Sequence, residues 1–241
     1  MTDAFGKVLV TYHREKHAEY VIERDDGLVD ELDAREYFRE FGEWPQHERD
    51  ALTWAKGRVL DVGCGAGRVA FWLQERGLEV VAIDTSPLAV EVSRERGVRA
   101  CRVVDARCLD FPEGHFDTII MFGNNFGIAG DVPETRRMLD SFHYTTKEDG
   151  IIIASTRDPL KTENPAHLAY HERNRRMGRP PGLVKIRVGF RGEYDDWFEL
   201  LMVGEEELVD LLGPTRWLLK KTYKSEVANY TVILAKKSYR R

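Results

Sequence analysis

From residue 58 onward the chain alternates short apolar runs with amphipathic stretches: RVLDVG, RVAFWLQERG, EVVAID, PLAVEVSRERG and RACRVVDA. The apolar runs carry no outward polar face, the pattern of strands covered on both sides by helices in a parallel sheet. FDTIIMFG continues the rhythm as a fourth strand, a helix follows over roughly 132 to 146, and GIIIAST supplies a fifth strand. Right-handed crossovers then predict a doubly wound, mostly parallel α/β sheet. Beyond Ser155 the alternation stops. DPLKTENPAHLAYHERNRRMGRPPG predicts an inserted helix, and KIRVGF and WFELLMV, joined through RGEYDD, an inserted hairpin. EEELVDLLG predicts a last helix, and WLLKKTYKS and NYTVILAKK pair as an antiparallel hairpin that completes seven strands.

Residues 1–57 show no strand-like alternation. LVDELDAREYFREFG places Leu28, Leu32, Tyr37, Phe38 and Phe41 near helical spacing, so a helical preface is predicted. The expected parse is one domain: 1–57 a helical N-terminal lid, 58–156 the core, 157–204 an insertion capping the substrate side, and 205–241 a helix and antiparallel hairpin.

A chain of 241 residues, 42% hydrophobic, has enough apolar surface for one large core. Its net charge of -5 repels nucleic acid and anionic membranes from the molecule as a whole, so only a local basic patch would serve such a partner. The start lacks the basic and apolar regions of a signal peptide, and no stretch approaches the length of a membrane span. A soluble, cytoplasmic protein without a membrane partner is expected. Cys64, Cys101 and Cys108 show neither CxxC nor a zinc-like spacing, so they read as small buried or loop thiols and no metal is expected.

VLDVGCGAGR, residues 59–68, ends an apolar strand in Gly63, Gly65 and Gly67. Bare backbone where a strand turns into a helix lets a ligand approach that a side chain would block. Asp84 closes the next strand and Asp105 the third, at the same edge, and an acid there can accept two hydrogen bonds from a ribose diol. A nucleoside-containing ligand fits this set. A nicotinamide dinucleotide asks for Gly-x-Gly-x-x-Gly, and Arg68 stands where that third glycine belongs.

Acid-x-Gly-x-Gly-x-Gly beginning at Asp61, with Asp84 in VVAIDTSP and Asp105-Ala106 in VVDAR, resembles the class I S-adenosylmethionine-dependent methyltransferases over about residues 58 to 156. The resemblance implies a Rossmann-like methyltransferase fold and S-adenosylmethionine as cofactor, with S-adenosylhomocysteine as product. It implies cofactor contacts at Asp61, Gly63, Cys64, Gly65, Gly67, Asp84, Thr85, Asp105, Ala106 and Phe122. Asp61 and the glycine backbone would hold the methionine part, Asp84 the ribose hydroxyls, and Asp105 and Ala106 the adenine.

Methyl transfer needs an acceptor held in line with the methyl and kept from water, and a base only if the acceptor must lose a proton. Asn124 and Asn125 in MFGNNFGIAG read equally as turn residues and as substrate or catalytic groups. His171 is a further catalytic candidate, with an ordinary surface histidine as its plainer reading. Tyr12, Tyr20 and Arg157 are substrate-side candidates, and Tyr37 and Trp44 either line the lid or belong to the core. The basic stretch 171–191 would suit a phosphate, a carboxylate or RNA, or would be neutralised by Glu193, Asp195, Asp196 and Glu199 across a hairpin. A small-molecule acceptor is the expectation, ahead of RNA, protein, or cofactor binding without turnover.

Overall fold

The computed structural model describes residues 2–238, so Met1 and the end of the 205–241 segment lie outside it. The chain opens with α1 (Ala4–Glu15), started by the Asp3 side chain accepting from the Gly6 N–H and closed by Lys16 in a left-handed conformation. It then forms β1 (Glu19–Arg24) and β2 (Val29–Asp33), followed by 3-10 turns at Ala34–Tyr37 and Phe41–Glu43 and by α2 (Gln46–Leu52).

The core proper runs β3 (Arg58–Val62), α3 (Arg68–Gln74), β4 (Glu79–Asp84), α4 (Pro87–Glu95), β5 (Cys101–Val103), β6 (Phe116–Met121), α5 (Val132–Thr145) and β7 (Thr146–Arg157). The insertion supplies α6 (Pro165–Arg176), β8 (Leu183–Phe190), β9 (Glu193–Tyr194) and β10 (Phe198–Leu201). α7 (Glu205–Leu212), β11 (Trp217–Lys224) and β12 (Asn229–Lys236) close the described chain.

Seven strands form the main sheet in the order β11-β12-β7-β6-β3-β4-β5. The five from β7 to β5 are parallel, and β12 runs against them, pairing antiparallel with both β7 and β11 as the predicted closing hairpin requires. This is the Rossmann-like methyltransferase fold. Leu60, Ile119, Phe142, Ile152 and Trp217 fill one face of the sheet, and Val59, Leu73, Ile120, Ile153 and Ile233 the other. That two-sided burial is why these strands read as unbroken apolar runs.

A second sheet, of order β10-β8-β1-β2 with β9 beside β8, corrects the reading of residues 1–57 as wholly helical. LVDELDAREYFREFG is not a helix. Val29–Asp33 pairs antiparallel with Glu19–Glu23 across a turn in which Gly27 has φ 88°, and Asp33 then caps a 3-10 turn by accepting from the Arg35 N–H. Asp26-Gly27 between two extended segments is a hairpin signal, masked here because every residue of β2 is exposed and shows no buried alternation. The inserted helix and hairpin are present, and β8 joins the N-terminal hairpin through β1.

Candidate functional site

The carboxyl ends of β5, β4, β3, β6 and β7 form one edge, and the glycine turn stands near its middle. Gly63, Gly65 and Gly67 all have positive φ, of 68°, 53° and 74°. Their surroundings differ. A Cβ on Gly67 would meet Ser93 Oγ and Val98 Cγ2 at 2.8 Å, so that glycine serves helix packing. A Cβ on Gly63 would strike the Asn125 amide, while one on Gly65 would face only the ring of Tyr37, at 3.4 Å. Gly65, itself buried, is therefore the glycine of the turn covered by a single movable ring.

Three carboxylates are buried around it. Asp84 accepts from the Gly65 N–H at 2.9 Å and the Ser86 N–H at 3.0 Å, so it fixes the turn before any ligand arrives. Asp61, 3% exposed, accepts from the Ala70 N–H at 3.2 Å. Neither has an ion-pair partner among the described residues. Burial pushes Asp61 up to about 7, against the opposing pull of Arg68, and burial raises Asp84 as well. Glu48, from α2, accepts from Arg68 Nη2 at 2.8 Å and from the Ser155 hydroxyl at 3.3 Å. The sequence marks Arg68 only as the residue in place of a third glycine and gives no sign of Glu48, because a short helix such as QHERDAL does not show which residue it buries.

Asn124, with φ 67°, is a turn residue whose N–H reaches Ser155 Oγ at 3.3 Å. The Asn125 amide donates to the carbonyls of Val62 and Gly63 at 3.2 and 3.1 Å, tying the end of β6 to the glycine turn. Tyr20 and Tyr37 meet hydroxyl to hydroxyl at 3.1 Å, with Tyr37 over Gly65. Tyr12 instead stacks on Phe38, and Trp44 is buried with Phe41 and Trp72 in the core.

Among the remaining candidates, Cys64 turns its thiol away from the edge, toward Cys101 Sγ and Ser93 Oγ, each 3.8 Å away. Phe122 and Ala106 are buried, and Thr85 and Arg157 are exposed. Asp105 caps the 3-10 turn Ala106–Cys108, and the Arg107 guanidinium beside it holds its carboxyl below the usual range. His171 lies on α6, buried, with its Nδ1 unpartnered. Burial lowers its pKa, and the charges acting on it come from Arg175, His167 and Arg24, not from the glycine turn.

The basic stretch is largely neutralised, though chiefly not by the acids that follow it in sequence. Arg173 pairs with Asp25, Arg187 with Glu23, Arg191 with Glu15, and Arg175 and Arg176 with Glu172. Only Arg179 meets one of the expected partners, Glu199. Glu193 pairs with Lys7, and Asp195 accepts from the Ala4 and Phe5 N–H groups at 2.6 and 3.0 Å, capping α1. No cluster of three or more metal-ligating groups occurs among the described residues, and no helix there is long and apolar enough to cross a membrane.

Residues 59–150 match the family model of a methyltransferase domain. The chain is 32% identical to the cypemycin N-terminal methyltransferase of a Streptomyces species over 107 residues, 43% of each protein. It is 31% identical to the phosphatidylethanolamine N-methyltransferase of Cereibacter sphaeroides over 125 residues, 48% of this chain and 59% of that one. The chain thus spans about half the length of the curated relatives it matches. A crystal structure of an S-adenosylmethionine-dependent methyltransferase from Bacteroides fragilis, in complex with S-adenosylhomocysteine, superposes with a TM-score of 0.83 at 28% identity, covering 97% of this chain and 94% of that one. On fold, glycine turn and family match together, residues 59–150 form a methyltransferase domain of the class I, S-adenosylmethionine-dependent kind.

Proposed function

We propose that the protein transfers a methyl group from S-adenosylmethionine to a small-molecule acceptor. The observation that carries this reading is the glycine turn at Gly65, which has only the Tyr37 ring against its outer side, is held by the buried Asp84 carboxylate and lies beneath the Tyr20–Tyr37 pair. The residues fit the cofactor. Gly65 gives close access to backbone, Asp84 lies at the β4 end where a ribose diol would be met, and Asp105 and Ala106 follow β5 on the adenine side. Asp61 and Asp84, buried and in no ion pair among the described residues, suit a ligand that brings its own positive charge.

When bound, the sulfonium supplies an activated methyl and a neutral leaving group. The chain's part is to orient and to exclude water. Asp84 keeps the glycine turn in one conformation, the Asn125 amide locks the β6 end against it, and the two tyrosines cover it. α1 packs against α4 beside the β4 end, and Asp195 fastens the insertion to α1. A small acceptor is favoured over RNA because the arginines of 171–191 are engaged by acids and leave little free positive surface for a phosphate chain.

The test is incubation of the purified chain with S-adenosylmethionine and panels of small amines, phenols, thiols and carboxylates, alongside RNA and protein, with S-adenosylhomocysteine formation as readout. Turnover with a small acceptor is expected. Turnover confined to RNA or protein, or tight binding with no turnover on any panel, would overturn the reading.

A further inference from the structure

Along the sheet edge the polar groups run Asp105 after β5, Asp84 at the end of β4, the glycine turn after β3, and Asn124 and Asn125 after β6. If adenine and ribose lie at the first two positions, as the proposed function holds, the amino-acid end of the cofactor falls beyond Asp84, over β3 and toward β6. That end is a zwitterion, and its carboxylate needs a cation. Arg68 stands there, the first residue after the glycine turn, and its charge acts on both Asp61 and Tyr37.

The Arg68 guanidinium is held in place. Nη2 donates to Glu48 at 2.8 Å, and the Trp44 ring lies beneath it with the centroid 4.7 Å from Cζ. Its Nε and Nη1 donors have no partner among the described residues, and the side chain keeps 15% of its exposure. A planar fork with one arm anchored and the other donors unengaged suits a carboxylate. Glu48 is anchored in turn by Ser155, whose oxygen also accepts from the Asn124 N–H, so the guanidinium is coupled to the ends of both β6 and β7.

We propose that Arg68, positioned by Glu48 and Trp44, binds the carboxylate of the cofactor's methionine end and makes the site selective for ligands that carry that end. This rests on the proposed function and adds a specificity-determining residue to it. Two nucleoside ligands separate the possibilities: S-adenosylhomocysteine, which has the amino-acid end, and 5′-methylthioadenosine, which lacks it.

The experiment is calorimetric titration of the full chain with each ligand, for the wild type, Arg68→Lys, and the double variant Arg68→Met with Glu48→Gln, which leaves neither partner charged. Thermal melts check that each variant is folded. The double variant is expected to bind S-adenosylhomocysteine about 10- to 100-fold more weakly, with 5′-methylthioadenosine changed by less than about twofold. Arg68→Lys is expected to fall between, because an ammonium keeps the charge but not the fork. An equal loss for both ligands would make the pair mere scaffolding, and unchanged S-adenosylhomocysteine affinity would remove Arg68 from the site. Either result overturns the inference while the parent reading stands. A wild type that binds neither ligand overturns both.

Discussion

The main sheet and the second sheet carry their charge in opposite ways. At the edge of the main sheet, Asp61 and Asp84 are buried and accept only backbone N–H groups, and Glu48 shares its burial with Arg68. In the second sheet and its helix, the charges are mostly matched by opposite ones at or near the surface, as Arg187 with Glu23, Arg173 with Asp25 and Arg179 with Glu199, and even the buried Arg24 is paired, with Asp26. Paired surface ions contribute little and cost little. Buried acids without cations cost stability, and a fold keeps such a cost where a ligand relieves it. The contrast separates the glycine-turn edge, where two acids are buried outside any ion pair, from the second sheet, where charges are paired.

The largest expected effect tests the buried side. Asp61 titrates at about 7 when folded, against an ordinary 3.8, so the folded state holds its proton more tightly than the unfolded one. The resulting stability is fully present below about pH 4 and is lost as pH rises to about 7, amounting to at most about 4 kcal/mol. Asp84, Arg68 and the Ala70 N–H are the groups acting on it, and other carboxylates such as Asp26 and Asp117 titrate in the opposite sense. The comparison is therefore wild type against Asp61→Asn. Asparagine keeps an acceptor for Ala70, and the variant is expected to be the more stable at pH 8, with the advantage shrinking toward pH 4. Urea melts across that range check it, and a pH-independent difference would be the contrary result.

Next comes the seam between the two regions. A Cβ on Gly127 would collide with the backbone carbonyl of Leu201 in β10, an atom that cannot move without its strand. Gly127→Ala is expected to destabilise by about 1–3 kcal/mol, read as a lowered urea midpoint. Tyr20→Phe removes one hydroxyl from the pair above Gly65 and is expected to cost about 1 kcal/mol. At the small end, Arg176 is 77% exposed and pairs with Glu172 one turn away, so Arg176→Ala is expected to stay within about 0.5 kcal/mol. A large loss there would erase the distinction between the regions.

The same contrast explains what could be read from the sequence. Strands buried on both faces announce themselves locally, as VLDV, VVAI and TIIM do, and the glycine turn and Asp84 follow from their places at the strand ends. β1 finds its partner β8 about 165 residues further along, so their pairing leaves no local trace. β2 buries nothing, and the spacing of Leu28, Leu32 and Tyr37 around it mimics a helix. Glu48, Arg68 and Ser155 converge from three separate segments, and the convergence depends on tertiary packing alone. Asp84 itself carries more than a ligand contact. Because it holds the Gly65 and Ser86 N–H groups, Asp84→Ala is expected to loosen the turn as well as weaken cofactor binding, so it is a poorer probe of the site than its position at the strand end suggests.

The central claim is that the buried acids under the glycine turn serve a positively charged cofactor. The direct measurement is titration calorimetry at pH 8 with S-adenosylmethionine and S-adenosylhomocysteine, which differ by the methyl group and its charge, on the wild type and Asp61→Asn. Asp61→Asn is expected to weaken S-adenosylmethionine binding more than S-adenosylhomocysteine binding, because both carry the ammonium of the amino-acid end but only the former adds the sulfonium charge in a low-dielectric site. Equal changes for both ligands, or none for either, would contradict it.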